Sequence, residues 1–471
     1  MALKIYNTLT REKEVFKPIE EGKVKIYTCG QTVYDDVHIG NARAYSNWDV
    51  VVRYLGWKGF KVFHVQNFTD VGHMTSDEDE GEDKIEKRGR EQGINPWELV
   101  NVQIRKYWRD VDDLNIQRPN ISPLAAAHIL EMIEFTKTLI EKGFAYEVNG
   151  TVYFDTSKFK DYGKLAHLDI SKWKPGARVK VNPDKKHPMD FALWKRSEKG
   201  RVMNWTSPWG EGYPGWHIEC SVMAVKYLGE TIDIHGGGID HIPIHHTNEI
   251  AQSEAATGKK FVNYWMHSHF LTISGEKMSK SKGNFFTARE LIEKHGAETV
   301  RMFLISTHYR KPIDFTEKVI SDAWNNLKKI YTTLDLIERS EGGDKTGLAE
   351  KTKKVRREFE NAMDDDFDVP SALTALFGFL REVNKSPDAP KKELEEAAKT
   401  IRELCGVLGL KLEVRTKEAV EIESLLNIIL ELREEFRKKK EFETSDRIRE
   451  ELEKIGIMID DTKGNPAWRF S

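Results

Sequence analysis

Two stretches carry side chains suited to handling phosphate. His38-Ile39-Gly40-Asn41 follows a strand ending at Cys29-Gly30 and a polar loop over 31–37, and it opens a helix. A strand, a loop and a helix start in that order aim backbone N–H groups and the positive helix end at an anion. His38 and Asn41 add side-chain donors there. Far downstream, Ser274 to Gly283 sets Lys277, Lys280 and Lys282 among Ser279 and Ser281, between Gly275 and Gly283. This composition suits a phosphate clamp moving on glycine hinges; its plain alternative is a solvated basic loop. The three cysteines are Cys29, Cys220 and Cys405. An odd, sparse set argues against a disulfide framework and leaves metal binding, catalysis or burial. Cys29 and Cys220 lie too far apart in sequence to resemble the close pairs of structural zinc sites. Taken alone, each reads as buried filler. His245 and Glu249 stand at i and i+4 and share one helix face.

The elements that must position these residues are legible from periodicity. Val24, Ile26 and Thr28 alternate with Lys25 and Tyr27 as in a strand. Ala44, Trp48, Val51, Val52 and Leu55 share one helical face, and Gly56 can stop that helix. A second strand over 61–67 leads into Phe68-Thr69-Asp70. Strand, helix and strand in about forty residues predict a parallel βαβ unit, whose ligands sit beyond the C-terminal strand ends. From about 119 to 210 the pattern changes to a helix over 125–142, a hairpin turning at Asn149-Gly150 and a basic, proline-containing connection over 171–188. The sheet resumes near Pro214 with a helix to Leu228 and a strand over 231–235 running into Gly236-Gly237-Gly238. A helix opens at His245, and a last strand spans 264–273. Beyond about Asn325 the chain reads as charged helices, ending in a two-stranded piece over 457–470 that turns at Lys463-Gly464-Asn465-Pro466.

At 471 residues the chain exceeds one core. With 39% hydrophobic and 32% charged residues it reads as globular and water-soluble, and no stretch approaches the about 20 apolar residues of a membrane span. The N-terminus lacks a signal-peptide core, so a cytoplasmic location is expected. A net charge of −3 means any nucleic-acid contact must come from local patches.

His38-Ile39-Gly40-Asn41 early and Lys277-Met278-Ser279-Lys280-Ser281 late, flanking a split α/β sheet, resemble the signature pair of class I aminoacyl-tRNA synthetases. Asn41 stands where the general pattern has a second histidine. Tyr27-Thr28-Cys29-Gly30, Pro214-Gly215-Trp216-His217-Ile218-Glu219-Cys220, His245-His246-Thr247-Asn248-Glu249-Ile250-Ala251-Gln252 and Asp364-Asp365-Asp366-Phe367 narrow the resemblance to the cysteinyl-tRNA synthetases. The resemblance covers nearly the whole chain. It implies one Zn²⁺ held by Cys29, Cys220, His245 and Glu249, as a specificity element that tells a thiol from a hydroxyl. It implies an amino-acid site of Gly30, Thr69, Trp216 and Asp240, with Asp240 pairing the substrate ammonium and Trp216 walling the pocket. ATP, with Mg²⁺, would meet His38, Gly40, Asn41, Lys277, Ser279 and Lys280, of which His38, Asn41, Lys277 and Lys280 are catalytic. The expected reaction joins L-cysteine to AMP and then to the terminal ribose of tRNA.

The fold class expected is α/β: a Rossmann-like parallel-sheet catalytic domain (1–118 and 211–260) split by an α+β insertion (119–210). The lysine-loop and stem-contact region (261–324), a helical bundle (325–410) and a small C-terminal α+β anticodon-binding module (411–471) follow. Trp468 and Arg469 are the tRNA contacts expected in that module, with a packed hairpin as the alternative. No membrane partner and a monomer are expected. Two other functions remain open: a relative that transfers activated cysteine to an amino sugar, and a non-catalytic tRNA- or zinc-binding protein. The long extension after Asn325 argues against the first, and the lysine loop against the second.

Overall fold

A computed structural model describes residues 2–74, 81–167, 182–278, 285–412, 417–455, 457–460 and 467–470. The organising element is a four-stranded sheet in which every pairing is parallel. Its parts, in chain order, are β1 (Lys23–Thr32), α1 (Ile39–Trp57), β2 (Lys61–Thr69), α2 (Trp216–Leu228), β3 (Ile232–Gly238), α3 (His245–Thr257) and β4 (Val262–Ser268). The spatial order is β4-β3-β1-β2. The chain therefore changes direction across the sheet between β1 and β3, and in open α/β sheets ligands bind beyond the strand ends at that switch point.

The first strand runs further than periodicity predicts. It continues past Gly30 to Thr32, with a register shift against β2 between Thr28 and Gln31. The reason is steric. A Cβ on Gly30 would lie 1.6 Å from the Asn67 carbonyl oxygen, so only glycine lets the two backbones pass. The last strand runs less far: 264–273 is two strands, β4 and Leu271–Ile273, and the second belongs to a different sheet with Glu276–Lys277 and Ile313–Phe315. Arg43, buried on α1, sits at the break. Its guanidinium donates to the carbonyls of His269 at 2.8 Å and Phe270 at 2.7 Å, and the Phe270 carbonyl also accepts from the Ile313 N–H at 3.2 Å, so the chain has changed to the second sheet's partner there.

Between β2 and α2 stand three helices, Lys84–Gln92, Pro96–Asp113 and Ile129–Glu141, and a five-stranded antiparallel sheet that includes the hairpin at Asn149-Gly150. After β4 come Ala288–His295 and Ala297–Ile305. Four longer helices follow: Glu317–Arg339, Leu348–Met363, Val369–Asn384 and Lys391–Val407. The first of these starts before Asn325 because Thr316 caps it, accepting from the Val319 N–H at 3.3 Å.

Residues from Leu412 onward form a separate compact unit. It holds helices Lys417–Lys438 and Phe442–Lys454 and an antiparallel pair, Ile457–Asp460 with Ala467–Phe470. Leu426, Leu430, Leu452, Ile457 and Ile459 close its core. The expected turn at 463–466 lies outside the described residues. Among the described residues, no helix is long and apolar enough to cross a membrane.

Candidate active site and metal centre

The loops and helix starts at the C-terminal ends of β1, β2 and β3 gather the residues singled out from the sequence. Cys29 comes from β1, Cys220 from α2, and His245 and Glu249 from one face of α3. One ligand atom from each lies within 4.8 Å of the other three, and all four residues are buried. A tetrahedral zinc with Zn–S near 2.3 Å and Zn–N or Zn–O near 2.0–2.1 Å would hold its ligand atoms about 3.3–3.8 Å apart. His245 Nε2 and Glu249 Oε1 lie 3.0 Å apart, yet that oxygen makes no hydrogen bond. The two atoms stand side by side, as co-ligands of one ion do, rather than donor to acceptor. The donor set, two sulfurs, an imidazole and a carboxylate, suits zinc.

The electrostatics favour a divalent cation. Burial, then the charges of Cys220 and Glu249, push the Cys29 thiol well up. Burial would also raise Cys220, but the hydrogen bond from Cys29 and the attraction of His245 outweigh it and bring that thiol down to about 6. Burial would lower His245, yet Glu249 and Cys220 raise it to about 10. Burial would raise Glu249, yet His235 and His245 hold it at about 2. The cluster thus holds a thiolate and a carboxylate in a dry site, and a metal would displace the protons on Cys29 and His245.

Around the four stands a shell that sequence reasoning did not identify. His246 Nε2 lies 3.2 Å from Cys29 Sγ, and His246 Nδ1 lies 2.8 Å from His267 Nε2. His267 Nδ1 lies 2.8 Å from Thr8 Oγ1. His235 Nε2 meets Glu249 Oε2 at 2.8 Å, and His217 Nδ1 meets His245 Nδ1 at 2.9 Å. Such partners fix the tautomer and orientation of metal ligands. A second grouping, Cys29, His235, His246 and Glu249, also lies within 4.8 Å; its histidines already serve the first four. Gly237 makes room, since a Cβ there would sit 2.5 Å from the His246 ring. The available signal was the density of histidines at 217, 235, 245, 246 and 267, inward on strands and helices.

The residues expected at the amino-acid site, Gly30, Thr69, Trp216 and Asp240, lie on the same strand ends and helix starts. The Gly30 N–H donates to Asn67 Oδ1 at 3.0 Å, and Asn67 Nδ2 donates to Thr69 Oγ1 at 3.2 Å. Asp240, exposed, stands on the turn after β3. Trp216 opens α2 half-buried, stacked on His245 with centroids 4.3 Å apart.

The two phosphate motifs meet at the start of α1. His38 caps the helix, its Nδ1 accepting from the Asn41 N–H at 3.2 Å. Asn41 Nδ2 donates to Gln31 Oε1 at 2.9 Å, so one of its two N–H bonds faces the protein rather than a ligand. Both ends of the lysine loop dock here. A Cβ on Gly40 would stand 3.8 Å from Met278 Cε. The Ile39 N–H donates to the Phe286 carbonyl at 3.1 Å, and Phe285 meets the His38 ring edge-on at 5.9 Å. Gly275, expected as the near hinge, has φ +81°. Lys277 pairs by backbone with Thr272. Ser279 and Lys280 lie outside the described residues. Trp468 and Arg469 lie on the last strand, Ala467–Phe470.

Comparisons with known proteins follow this geometry. Residues 15–325 match the family described as tRNA synthetases class I (C) catalytic domain, residues 358–413 a DALR domain, and residues 421–469 a cysteinyl-tRNA ligase anticodon binding domain. The chain is 46% identical to a cysteine--tRNA ligase of Chlorobaculum tepidum, over 99% of each chain. It is 47% identical to one of Caldicellulosiruptor saccharolyticus, over 98% of each. Its identity to one of Thermococcus onnurineus is 44%, over 100% of this chain and 99% of the relative. In fold it resembles Mycobacterium tuberculosis methionyl-tRNA synthetase bound by methionyl-adenylate, with a TM-score of 0.60 at 16% identity. That match covers 87% of this chain and 94% of the other.

Proposed function

We propose a residue-level mechanism from one premise: the chain belongs to the cysteine--tRNA ligase family, class I aminoacyl-tRNA synthetases that charge tRNA with cysteine. Cys29, Cys220, His245 and Glu249 would hold one zinc ion. Bound there, zinc would supply a borderline-soft acceptor that a cysteine thiolate matches and a neutral serine hydroxyl does not. The four ligand atoms gathered at the switch point of the sheet carry this reading.

Asp240 pairs with the substrate ammonium, Gly30 and Thr69 line its backbone, and Trp216 walls the side chain. The cysteine carboxylate is already ionised near neutral pH, so attack on the α-phosphate of ATP needs no general base. The protein's work is then alignment and charge stabilisation. His38, Gly40, Asn41 and the α1 N-terminus cradle the phosphates, and Gln31 orients the Asn41 amide. Lys277, Ser279 and Lys280 close over the pyrophosphate as it leaves with Mg²⁺. The product of that attack is cysteinyl-adenylate; the ribose hydroxyl of tRNA, by class the 2′-OH, then attacks its cysteinyl carbonyl, and the acyl–phosphate bond breaks to release AMP. The insertion over 119–210 guides the acceptor end, and Trp468 and Arg469 meet unstacked anticodon bases.

Pyrophosphate exchange into ATP that requires cysteine, with aminoacylation that requires tRNA, tests the activity on one sample. Transfer to an amino sugar without tRNA would overturn it; the anticodon-binding match over 421–469 favours tRNA. Cobalt substitution tests the metal's part: the visible spectrum should shift on adding cysteine and not on adding serine. An unchanged spectrum removes the metal from amino-acid selection.

A further inference from the structure

Trp216, proposed as the wall of the side-chain pocket, stacks on the proposed ligand His245 and, on its other face, on a residue that the mechanism does not use. The His73 ring stacks on Trp216 with centroids 4.3 Å apart and planes 11° from parallel. His245 stacks on the same indole at 4.3 Å and 22°. The indole is thus stacked between two imidazoles, with His217 tilted at 5.2 Å and His241 edge-on at 5.9 Å beside them.

The His73 imidazole is fixed by polar contacts at both nitrogens. Lys84 Nζ lies 2.9 Å from His73 Nε2. An ammonium can only donate, so Nε2 carries the lone pair and Nδ1 the proton. That proton goes to Thr32 Oγ1, 2.8 Å away at the end of β1. The backbone is equally constrained. Gly72 has φ +75°, and a Cβ on it would come within 2.5 Å of the Pro214 carbonyl oxygen, two residues before Trp216. The Gly72 N–H donates to Asp83 Oδ2 at 2.8 Å, and Asp83 Oδ1 caps the Lys84–Gln92 helix through the Ile85 N–H at 2.8 Å. Asp83 is itself buried and paired with Arg201 at 2.6 Å. A side chain with a defined tautomer, on a segment pinned to the Trp216 turn, is built to hold that ring still.

We infer that His73, oriented by Lys84 and Thr32, is a positioning residue that clamps Trp216 and thereby sets the depth of the amino-acid side-chain pocket against longer thiols. The inference rests on Trp216 walling that pocket. With His73 gone the indole can tilt outward, and the pocket gains room for one more methylene. One methylene in an apolar pocket is worth about 10–200-fold in selectivity, so the clamp is a large part of the preference for cysteine over homocysteine.

The test compares cysteine- and homocysteine-dependent pyrophosphate exchange for the full chain and its His73 variants, with zinc content measured on each. His73→Ala should lower the cysteine-to-homocysteine ratio of kcat/KM by about tenfold or more. The change should come from a lower KM for homocysteine together with a higher KM for cysteine, with kcat for cysteine within about threefold and zinc content unchanged. His73→Gln, which keeps a donor and an acceptor for Thr32 and Lys84 but no ring, should lower the ratio in the same direction and serves if the alanine variant folds poorly. His73→Phe keeps the stack and should restore the ratio to within about threefold of the wild-type chain. A ratio unchanged in both His73→Ala and His73→Gln overturns the clamp, as does a fall in kcat that is equal for both amino acids. Absence of cysteine-dependent exchange in the unaltered chain is a separate result, and it sinks the reading beneath.

Discussion

Two of the buried charge clusters in the larger unit are built differently. Around Asp49 every polar atom is answered. Its Oδ1 accepts from the Gln117 N–H at 2.8 Å, and its Oδ2 accepts from Arg53 Nε at 2.7 Å and from Arg301. Arg301 spends its other N–H bonds on the carbonyls of Leu408 at 2.8 Å, Leu114 at 2.9 Å and Asn115 at 3.1 Å. Even the neighbouring space is closed, since a Cβ on Gly409 would lie 2.0 Å from Arg301 Nη2. Around Glu249, by contrast, Oε1 makes no hydrogen bond, and neither does Nδ1 of the adjoining His235. Buried polar groups are normally satisfied, because leaving one without a partner costs about 1–3 kcal/mol. The first cluster ties α1, the Ala297–Ile305 helix and the end of the Lys391–Val407 helix together. The second leaves Glu249 Oε1 without a hydrogen bond, 3.0 Å from His245 Nε2, the arrangement expected of the proposed co-ligands.

The contrast makes opposite demands on mutation. Cys220→Ala should abolish stoichiometric zinc, read by elemental analysis, and lower cysteine-dependent exchange by about 10³-fold or more, roughly 4 kcal/mol in the barrier. Chain stability in the absence of metal should move little, because the His245 imidazole keeps Glu249 as its partner when the Cys220 thiolate is lost. Asp49→Ala should do the reverse. It leaves Arg301 buried without its counter-ion, which costs about 3–5 kcal/mol, read as a lowered urea midpoint. Exchange activity at a temperature where the variant is folded should survive. If Cys220→Ala unfolds the chain while Asp49→Ala is tolerated, the assignment of one cluster to function and the other to architecture is reversed.

A third buried carboxylate, Asp70, lies between these extremes and sharpens the comparison. Its Oδ1 accepts from the Ala126 N–H at 2.8 Å. Burial is the dominant influence and lifts its pKa to about 6, against backbone hydrogen bonds that pull it down. A folded-state value above the unfolded one means the stabilising form is the protonated one. That contribution is complete below about pH 4 and is lost as pH rises through about 6. Asp70→Asn imitates the protonated form and can still accept from Ala126. It should therefore be more stable than the unaltered chain at pH 8, by at most about 3 kcal/mol, and equal to it at pH 4. Melting temperatures of both proteins across that range check the sign. A variant less stable at pH 8 would mean that Asp70 is held as an anion.

These differences mark what the sequence could carry. Helix α3 was legible to the residue, from His245 to Thr257, and so was the hairpin at Asn149-Gly150, because periodicity and turn chemistry are local. The parallel pairing of β1 with β2 followed from a short crossover. The resemblance named Cys29, Cys220, His245 and Glu249, but spacing alone could not, since they come from three elements spread over more than two hundred positions. What stayed hidden were contacts between residues remote in sequence: Arg43 donating to the carbonyls after β4, Asn67 crossing over Gly30, and His73 stacking on Trp216. Each depends on tertiary approach, for which a single chain carries no periodic signal.

The smallest effect tests how far the ligand cluster extends. Thr8 lies outside the sheet, yet it ends a line of contacts running through His267 and His246 to Cys29. The line has one consistent set of protons when Cys29 is a thiolate. A thiolate can only accept, so His246 Nε2 must carry hydrogen and its Nδ1 must accept. His267 Nε2 then donates, its Nδ1 accepts, and the Thr8 hydroxyl donates. Every bond points toward the sulfur, and each helps hold the anionic form that binds metal. Thr8→Val removes only the outermost donor and keeps the shape, and the first link of such a line should matter least. Zinc affinity, measured by competition with a chelator, should fall by about tenfold or less, with no change in the urea midpoint of the metal-free chain. If affinity is unaltered while His246→Leu weakens it strongly, the line ends at His246. The comparison with Asp49 then narrows to the shell in direct contact with the ligands.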